Sequence, residues 1–243
     1  MAKTFIQDAW DNQYCADHQK RLVKCQSCGR LISEALTRGG VEHRGGPSIC
    51  NLCHPTAILD SKQASQLTRS VCAFLSKLNL DIDPTTIPLT LVNNKTLRKA
   101  SKNRRDEVRG LCRTRTTMQG KKVMDHRPEE ILILKGLPKE HFCMVAVHEF
   151  THAWIAWHKV RGLSKRDEEG LCCLMEFLWL REQKTPMAKF RLKQLNDSKD
   201  PIYGKGLTQA KAALKQHGLP TILSSIRTEK RLPRIGLLGK FLT

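Results

Sequence analysis

An α+β fold is predicted for this chain: a small, metal-stapled N-terminal module over residues 1–56, then a mainly helical domain with a short β-sheet over residues 57–243. Three observations predict it. Two C-x-x-C pairs, Cys25/Cys28 and Cys50/Cys53, stand in a leading segment that is rich in Cys, His and Gly and poor in apolar runs, so it needs a staple in place of a core. Apolar side chains then recur at helical spacing over several long stretches. Between them lie three short runs of strand character, 87–93, 111–118 and 131–135.

Taken in order, residues 61–78 place Leu67, Val71, Phe74, Leu75 and Leu78 on one helical stripe, with Ser61 as cap. IPLTLVN (87–93) reads as a strand after Asp83-Pro84, and 94–101 as a short helix. LCRTRTTM (111–118) alternates and is Thr-rich, a strand pattern. ILILK (131–135), between Pro128 and Gly136, reads as a buried or edge strand, and as an edge it would hold an extended substrate. A long helix is expected over 139–161, ending near Gly162. A second runs over 165–184, capped by Ser164 and stopped before Pro186. Residues 196–206 read as a loop, 207–217 as a helix ending at Gly218, 221–227 as a short helix, and the basic C-terminus as a loose tail.

A hydrophobic share of 40% and a charged share of 27% belong to a globular protein. The net charge of +19 attracts polyanions and acidic partners. The basic residues are scattered over 98–115, 184–199 and 227–234, without interleaved aromatics or a recognition-helix spacing, so nucleic acid is not the expected partner. No run of 18 uncharged apolar residues exists, so no membrane span is expected. MAKTFIQDAW lacks a signal-like pattern, which points to the cytoplasm. In a reducing compartment the ten cysteines are not disulfides.

The two C-x-x-C pairs are separated by residues 29–49, a spacing that makes one closed, structural zinc site of four thiolates. Cys15-x-x-His18 looks like half of a second structural site. His43 and His54 could help complete it, but each reads more simply as an exposed loop histidine. Cys72, Cys112, Cys143, Cys172 and Cys173 lie in apolar patterns and read as small core residues.

Residues 148–152 read HEFTH. On a helix, His148 and His152 stand one turn apart on one face and can meet one zinc ion, while Glu149 reaches a water beside it as general base. The flanking Val145, Ala146, Val147, Phe150, Ala153 and Trp154 make this a buried helix, where two imidazoles and a carboxylate need a partner. A catalytic zinc takes three protein ligands and keeps one position open. Asp167, Glu168 and Glu169, at the start of the next helix, are the candidates for the third. Glu169 is favoured because Gly170 beside it allows close helix approach. Glu168 would then orient His152 or His148 through the free ring N–H. Tyr203, in the loop DPIYGKG, is a candidate donor to a developing oxyanion or a packing tyrosine.

These residues carry a family likeness. GLPKEHFCMVAVHEFTHAWIAWHKVRGLSKRDEEGLCCLMEFLWL resembles the peptidase domain of the DA-one-type LIM-domain peptidases, which are ubiquitin-activated; the shared skeleton is GLP, HExxHAW, EEGxC and a helix ending xWL. DPIYGKG and HGLPTIL are similar to that family's C-terminal signature, and YCADH, CQSCGRLI and CNLC to its reduced LIM-like zinc module. The likeness covers about residues 10–225. It implies a LIM-like module followed by a gluzincin-type peptidase domain, with catalytic zinc on His148, His152 and the glutamate before Gly170, base Glu149, and at least one structural zinc. It also implies protein substrates and ubiquitin or ubiquitylated proteins as partners. Plant members carry ubiquitin-interacting helices and a fuller LIM domain upstream. A reading of another class is a zinc-stabilised protein-interaction scaffold with an inactive peptidase domain; the intact His148, Glu149, His152 and Glu169 set counts against it.

Overall fold

The computed structural model describes residues 5–42, 45–101, 108–120 and 122–236. It is a mixed α+β structure. The leading segment holds two small antiparallel hairpins, β1 (Phe5–Gln7) with β2 (Gln13–Cys15) and β3 (Gly40–Glu42) with β4 (Ser48–Cys50), and two short helices, α1 (Ala16–Arg21) and α2 (Glu34–Thr37). Its apolar cluster is small: Ile49 and Cys25, Cys28, Cys50 and Cys53, covered by Trp10, Ile32 and Met187. The main core begins at Ile58 and runs through every later helix and the sheet.

That core is built by α3 (Ser61–Lys77), β5 (Leu89–Val92), α4 (Asn94–Ser101), β6 (Gly110–Gln119), β7 (Lys122–Leu134), α5 (Lys139–Trp157), α6 (Lys165–Gln183), α7 (Pro186–Asp197) and α8 (Tyr203–Thr228). The sheet order is β5-β7-β6, with β5 parallel and β6 antiparallel to β7. The ILIL run therefore ends the central strand, paired on both sides, and cannot offer an edge. Among the described residues the outer edges of the sheet belong to β5 and β6. β7 begins far earlier than its apolar run because its polar first half is held by pairing with β6, and Pro128 is accommodated next to the register shift between Arg113 and Thr114.

Other boundaries differ for local reasons. The cap of α3 is Asp60, whose carboxylate accepts from Gln63 N, in place of Ser61. α5 stops at Trp157, with Lys159 in the left-handed region (φ 53°), before Gly162 is reached. Ser164 caps α6 as expected, accepting from Asp167 N at 3.1 Å. α6 ends at Gln183, before Pro186 as expected, and the proline also opens a new helix: Thr185 Oγ1 accepts from Ala188 N at 3.0 Å, and Pro186 occupies the first turn of α7. α8 starts at Tyr203 because Asp200 Oδ1 accepts from Ile202 N (2.8 Å) and Tyr203 N (2.7 Å). Gly218 (φ 75°, ψ 162°) breaks it where the sequence places a stop. The last seven residues of the expected tail, 237–243, lie outside the described residues.

Two features fix the position of α5 and α6. Arg191 of α7 is buried and donates to the Ser27 carbonyl and, at 2.8 Å, to His141 Nδ1 on α5. Burial and the charges of Arg191 and Arg109 hold His141 well below its ordinary pKa, so its ring accepts that bond as a neutral imidazole. The backbone between Cys25 and Cys28 is thus tied to the first turn of α5. Second, α6 and α8 cross at Gly170 and Gly206, where a Cβ on Gly170 would lie 2.7 Å from the Gly206 carbonyl oxygen. The Gly170→Ala substitution is expected to cost about 2 kcal/mol, lowering Tm by about 4–8 °C in a thermal melt; an unchanged Tm would show that the crossing relaxes freely.

Candidate metal centre

His148 and His152 sit on α5 with their Nε2 atoms 3.2 Å apart. Glu169, near the start of α6, brings Oε2 to 3.0 Å from His148 Nε2 and 3.5 Å from His152 Nε2. The far ring nitrogens are held too: His148 Nδ1 lies 2.8 Å from Glu176 Oε1, and His152 Nδ1 lies 2.9 Å from Glu168 Oε1. The pairs 152–168 and 148–176 run in opposite directions along the two helices, so α6 returns antiparallel to α5.

With Nδ1–H donated to a carboxylate in each case, both Nε2 atoms present lone pairs to each other and to Glu169 Oε2. That oxygen is buried and accepts no hydrogen bond. Three converging lone pairs in a buried site repel one another unless positive charge lies between them. The three separations match the edge of a tetrahedron, about 3.3 Å, around a cation with bonds of about 2.0 Å. The donor set therefore fits a tetrahedral divalent ion. The electrostatics agree. Burial opposes charge on either imidazole, yet the neighbouring thiols and carboxylates, chiefly Cys172 with Glu176 at His148 and with Glu168 at His152, raise both well above the ordinary histidine range. Burial opposes charge on Glu169 as well, but both histidines pull it far below the usual carboxylate range.

Glu149 points to the same space from the other side. Its Oε2 accepts from the Cys112 backbone N–H at 2.7 Å. Burial raises its pKa above the usual carboxylate value, against the pull of His148, His152 and the Cys112 bond. Its seat needs Gly110: a Cβ there would lie 2.6 Å from Glu149 Oε1 and 2.5 Å from Val145 Cγ1. The set opens into a cavity of about 550 Å³ bordered by β6, with Thr114, His126, Lys165 and Tyr203 in its wall. Tyr203, half-exposed, has its ring centroid 6.4 Å from that of His148. Burial and Glu169 push its phenol up, so it stays a donor.

The second donor set is Cys25, Cys28, Cys50 and Cys53, all buried, with their Sγ atoms within 4.8 Å of one another. Cys28 and Cys50 Sγ are 3.6 Å apart, near the edge of about 3.8 Å for a tetrahedron with metal–sulfur bonds of about 2.3 Å. Cys50 N donates to Cys25 Sγ at 3.3 Å. Cys15 Sγ lies 3.0 Å from His18 Nδ1, and among the described residues no third metal-binding atom joins them. His43 lies outside the described residues, and His54 is half-buried in a 3-10 turn rather than exposed.

Several participants escape sequence reasoning. Glu176 follows Glu169 by seven residues, two turns on the same helix face, and that spacing is the signal that finds it. Cys172 and Cys173 are buried small residues, as expected, but Cys172 Sγ also lies within 4.8 Å of the His148, His152 and Glu169 atoms. Cys112 and Gly110 act through backbone position, which leaves no side-chain signature.

A buried helical His pair completed by a carboxylate of the neighbouring helix, beside a separate four-cysteine cluster, defines a protein with two candidate metal centres. Comparison with known proteins finds a likeness: residues 77–189 match the DA1-like family model, described as Protein DA1. The chain is 26% identical over 280 aligned positions to Protein DA1 of Arabidopsis thaliana, covering 92% of this chain and 52% of that protein. To LIM domain-containing protein HDR3 of Oryza sativa subsp. japonica it is 24% identical, covering 92% and 57%. To Protein DA1-related 2 of Arabidopsis thaliana it is 24% identical, covering 92% and 54%. The chain is similar to DA1-type proteins over most of its length, and it spans about half the length of the curated relatives it matches. No solved structure matches it.

Replacing Glu176 by Ala frees the His148 ring and is expected to weaken metal affinity at this centre by about 10–100-fold, read by competition with a chromophoric chelator. Wild-type affinity in that variant would mean that the carboxylate–imidazole bond does not order the ligand.

Proposed function

We propose that this protein is a zinc-dependent endopeptidase acting on protein substrates. The observation that carries the reading is the convergence of His148 Nε2, His152 Nε2 and Glu169 Oε2 within 3.5 Å of one another, with Glu149 beside them, at the floor of an open cavity. A zinc ion held there would polarise both a water and a substrate carbonyl. The chain supplies the rest. Glu149 takes the proton of the attacking water and hands it to the leaving amine. The Cys112 N–H fixes one oxygen of that carboxylate, and burial brings its pKa closer to neutrality, where a base that must also release its proton works best. Tyr203 donates its phenol hydrogen to the developing oxyanion. The unpaired edge of β6 aligns an extended peptide by backbone hydrogen bonds, with Thr114 and His126 facing its side chains.

In this reading, Cys25, Cys28, Cys50 and Cys53 hold a structural zinc with no open position. Residues 1–56 form a LIM-like module and 57–243 the gluzincin-type peptidase domain, with Cys15 and His18 contributing to a second structural site when further ligands are supplied. Ubiquitylated proteins are the substrates or activators that the family likeness suggests. The ten cysteines are all free thiols, which suits the cytoplasm. No helix among the described residues is long and apolar enough to cross a membrane.

Metal analysis is expected to find at least two zinc ions per chain, and a count of one that survives Cys25→Ser would remove the four-cysteine site. Glu149→Gln is expected to leave zinc content unchanged and to lower kcat/KM on protein substrates by about 10²–10⁴-fold. Undiminished cleavage would remove Glu149 as base. A wild-type protein that holds its zinc yet cleaves nothing in a diverse peptide library, with or without ubiquitin, would be an interaction scaffold and not a peptidase.

A further inference from the structure

The two oxygens of Glu169 have different partners. Oε2 faces the two histidine nitrogens at 3.0 and 3.5 Å, while Oε1 accepts from Lys165 Nζ at 2.6 Å. We propose that Lys165 is a positioning residue that makes Glu169 a one-oxygen metal ligand and so keeps a coordination position free. The inference rests on the metal-centre reading above and adds a residue that the His-Glu-His-Glu set does not include.

The chemistry is that of a carboxylate with two equivalent oxygens. Left free, both can close on a divalent cation, and the second then fills the position that a hydrolytic site must keep open. A charge-assisted hydrogen bond to Oε1 withdraws that oxygen from the ion. Lys165 can supply it because it stands one turn before Glu169 on α6, on the same face. Its side chain reaches from solvent, 59% exposed, to a carboxylate that is 2% exposed.

The lysine stands where helix electrostatics do not favour it. It occupies the first turn of α6, where the helix dipole disfavours a cation and favours the Asp167 and Glu168 that also stand there. Ordering a long side chain has an entropic cost as well. The contact to Oε1 offsets both costs.

Cobalt(II) reports coordination number directly: four-coordinate sites absorb visible light several-fold more strongly per ion than five-coordinate ones. The spectrum of the His148/His152/Glu169 centre is isolated as the difference between cobalt-loaded protein and cobalt-loaded His152→Ala, which retains the four-cysteine cluster. The wild-type difference spectrum is expected to be intense. Lys165→Met is expected to lower it several-fold while still binding one cobalt at this centre, and Lys165→Arg, which keeps a donor, to restore it. A Lys165→Met spectrum equal to wild type, or loss of cobalt from that variant, overturns the positioning role with the metal centre intact. No difference between wild type and His152→Ala overturns the metal centre itself.

Discussion

Three lone pairs meet in a buried space, and much of the site follows from the need to reconcile them. His148 Nε2, His152 Nε2 and Glu169 Oε2 stand at tetrahedron-edge distances with their donors turned away from one another. Each imidazole spends its N–H on a carboxylate, Glu176 or Glu168, so that the opposite nitrogen is left as an acceptor. In a medium that excludes water, such an arrangement is unfavourable without a positive charge at its centre. The same need shows in titration: both histidines are driven toward protonation and Glu169 toward ionisation. Protons and a metal ion compete for one place, which couples metal binding to proton release.

The fold supplies rigidity where this constraint demands it. α5 is apolar on nearly every face and is enclosed by the sheet, α3 and α6, so its polar residues at 148, 149 and 152 have a single defined outlet. Glycines permit the two closest approaches. Gly170 lets α8 cross α6 next to Glu169, and Gly110 lets β6 pass over Glu149. At Gly110 the close approach is to Glu149 itself, so that carboxylate is seated by main-chain geometry; at Gly170 it is to the Gly206 backbone and sets the distance between α6 and α8. The cavity is walled on one side by β6, whose outer edge has no paired strand among the described residues.

The four-cysteine cluster is physically continuous with this arrangement. Ser27, between two of the cysteines, contacts Arg191, and Arg191 contacts His141 at the start of α5. Trp10 extends the joint: it stacks on Phe190 at 5.1 Å, lies under the Arg30 guanidinium at 3.8 Å, and donates its indole N–H to the Cys28 carbonyl. A buried cation shared between two parts of the chain is costly to leave unpaired. Order around the cysteines and order at the N-terminal end of α5 are therefore linked.

What the sequence alone determined is local and periodic. The one-turn spacing of His148 and His152, the apolar flanks of their helix, the Ser164 cap, the acidic start of α6 and the paired C-x-x-C knuckles are all interactions between residues close in the chain, and they are legible because a helix or a knuckle fixes their geometry by itself. Tertiary structure decided the rest. Whether ILIL was an edge or a central strand depended on β5 and β6. Pro186 became a helix start through the Thr185 cap, and Tyr203 joined a helix through Asp200. Glu176, Cys112 and Gly110 gained their places only when α6 and β6 packed against α5. Pairing, burial and close backbone approach depend on partners far away in sequence, and no spacing along the chain encodes which partner arrives.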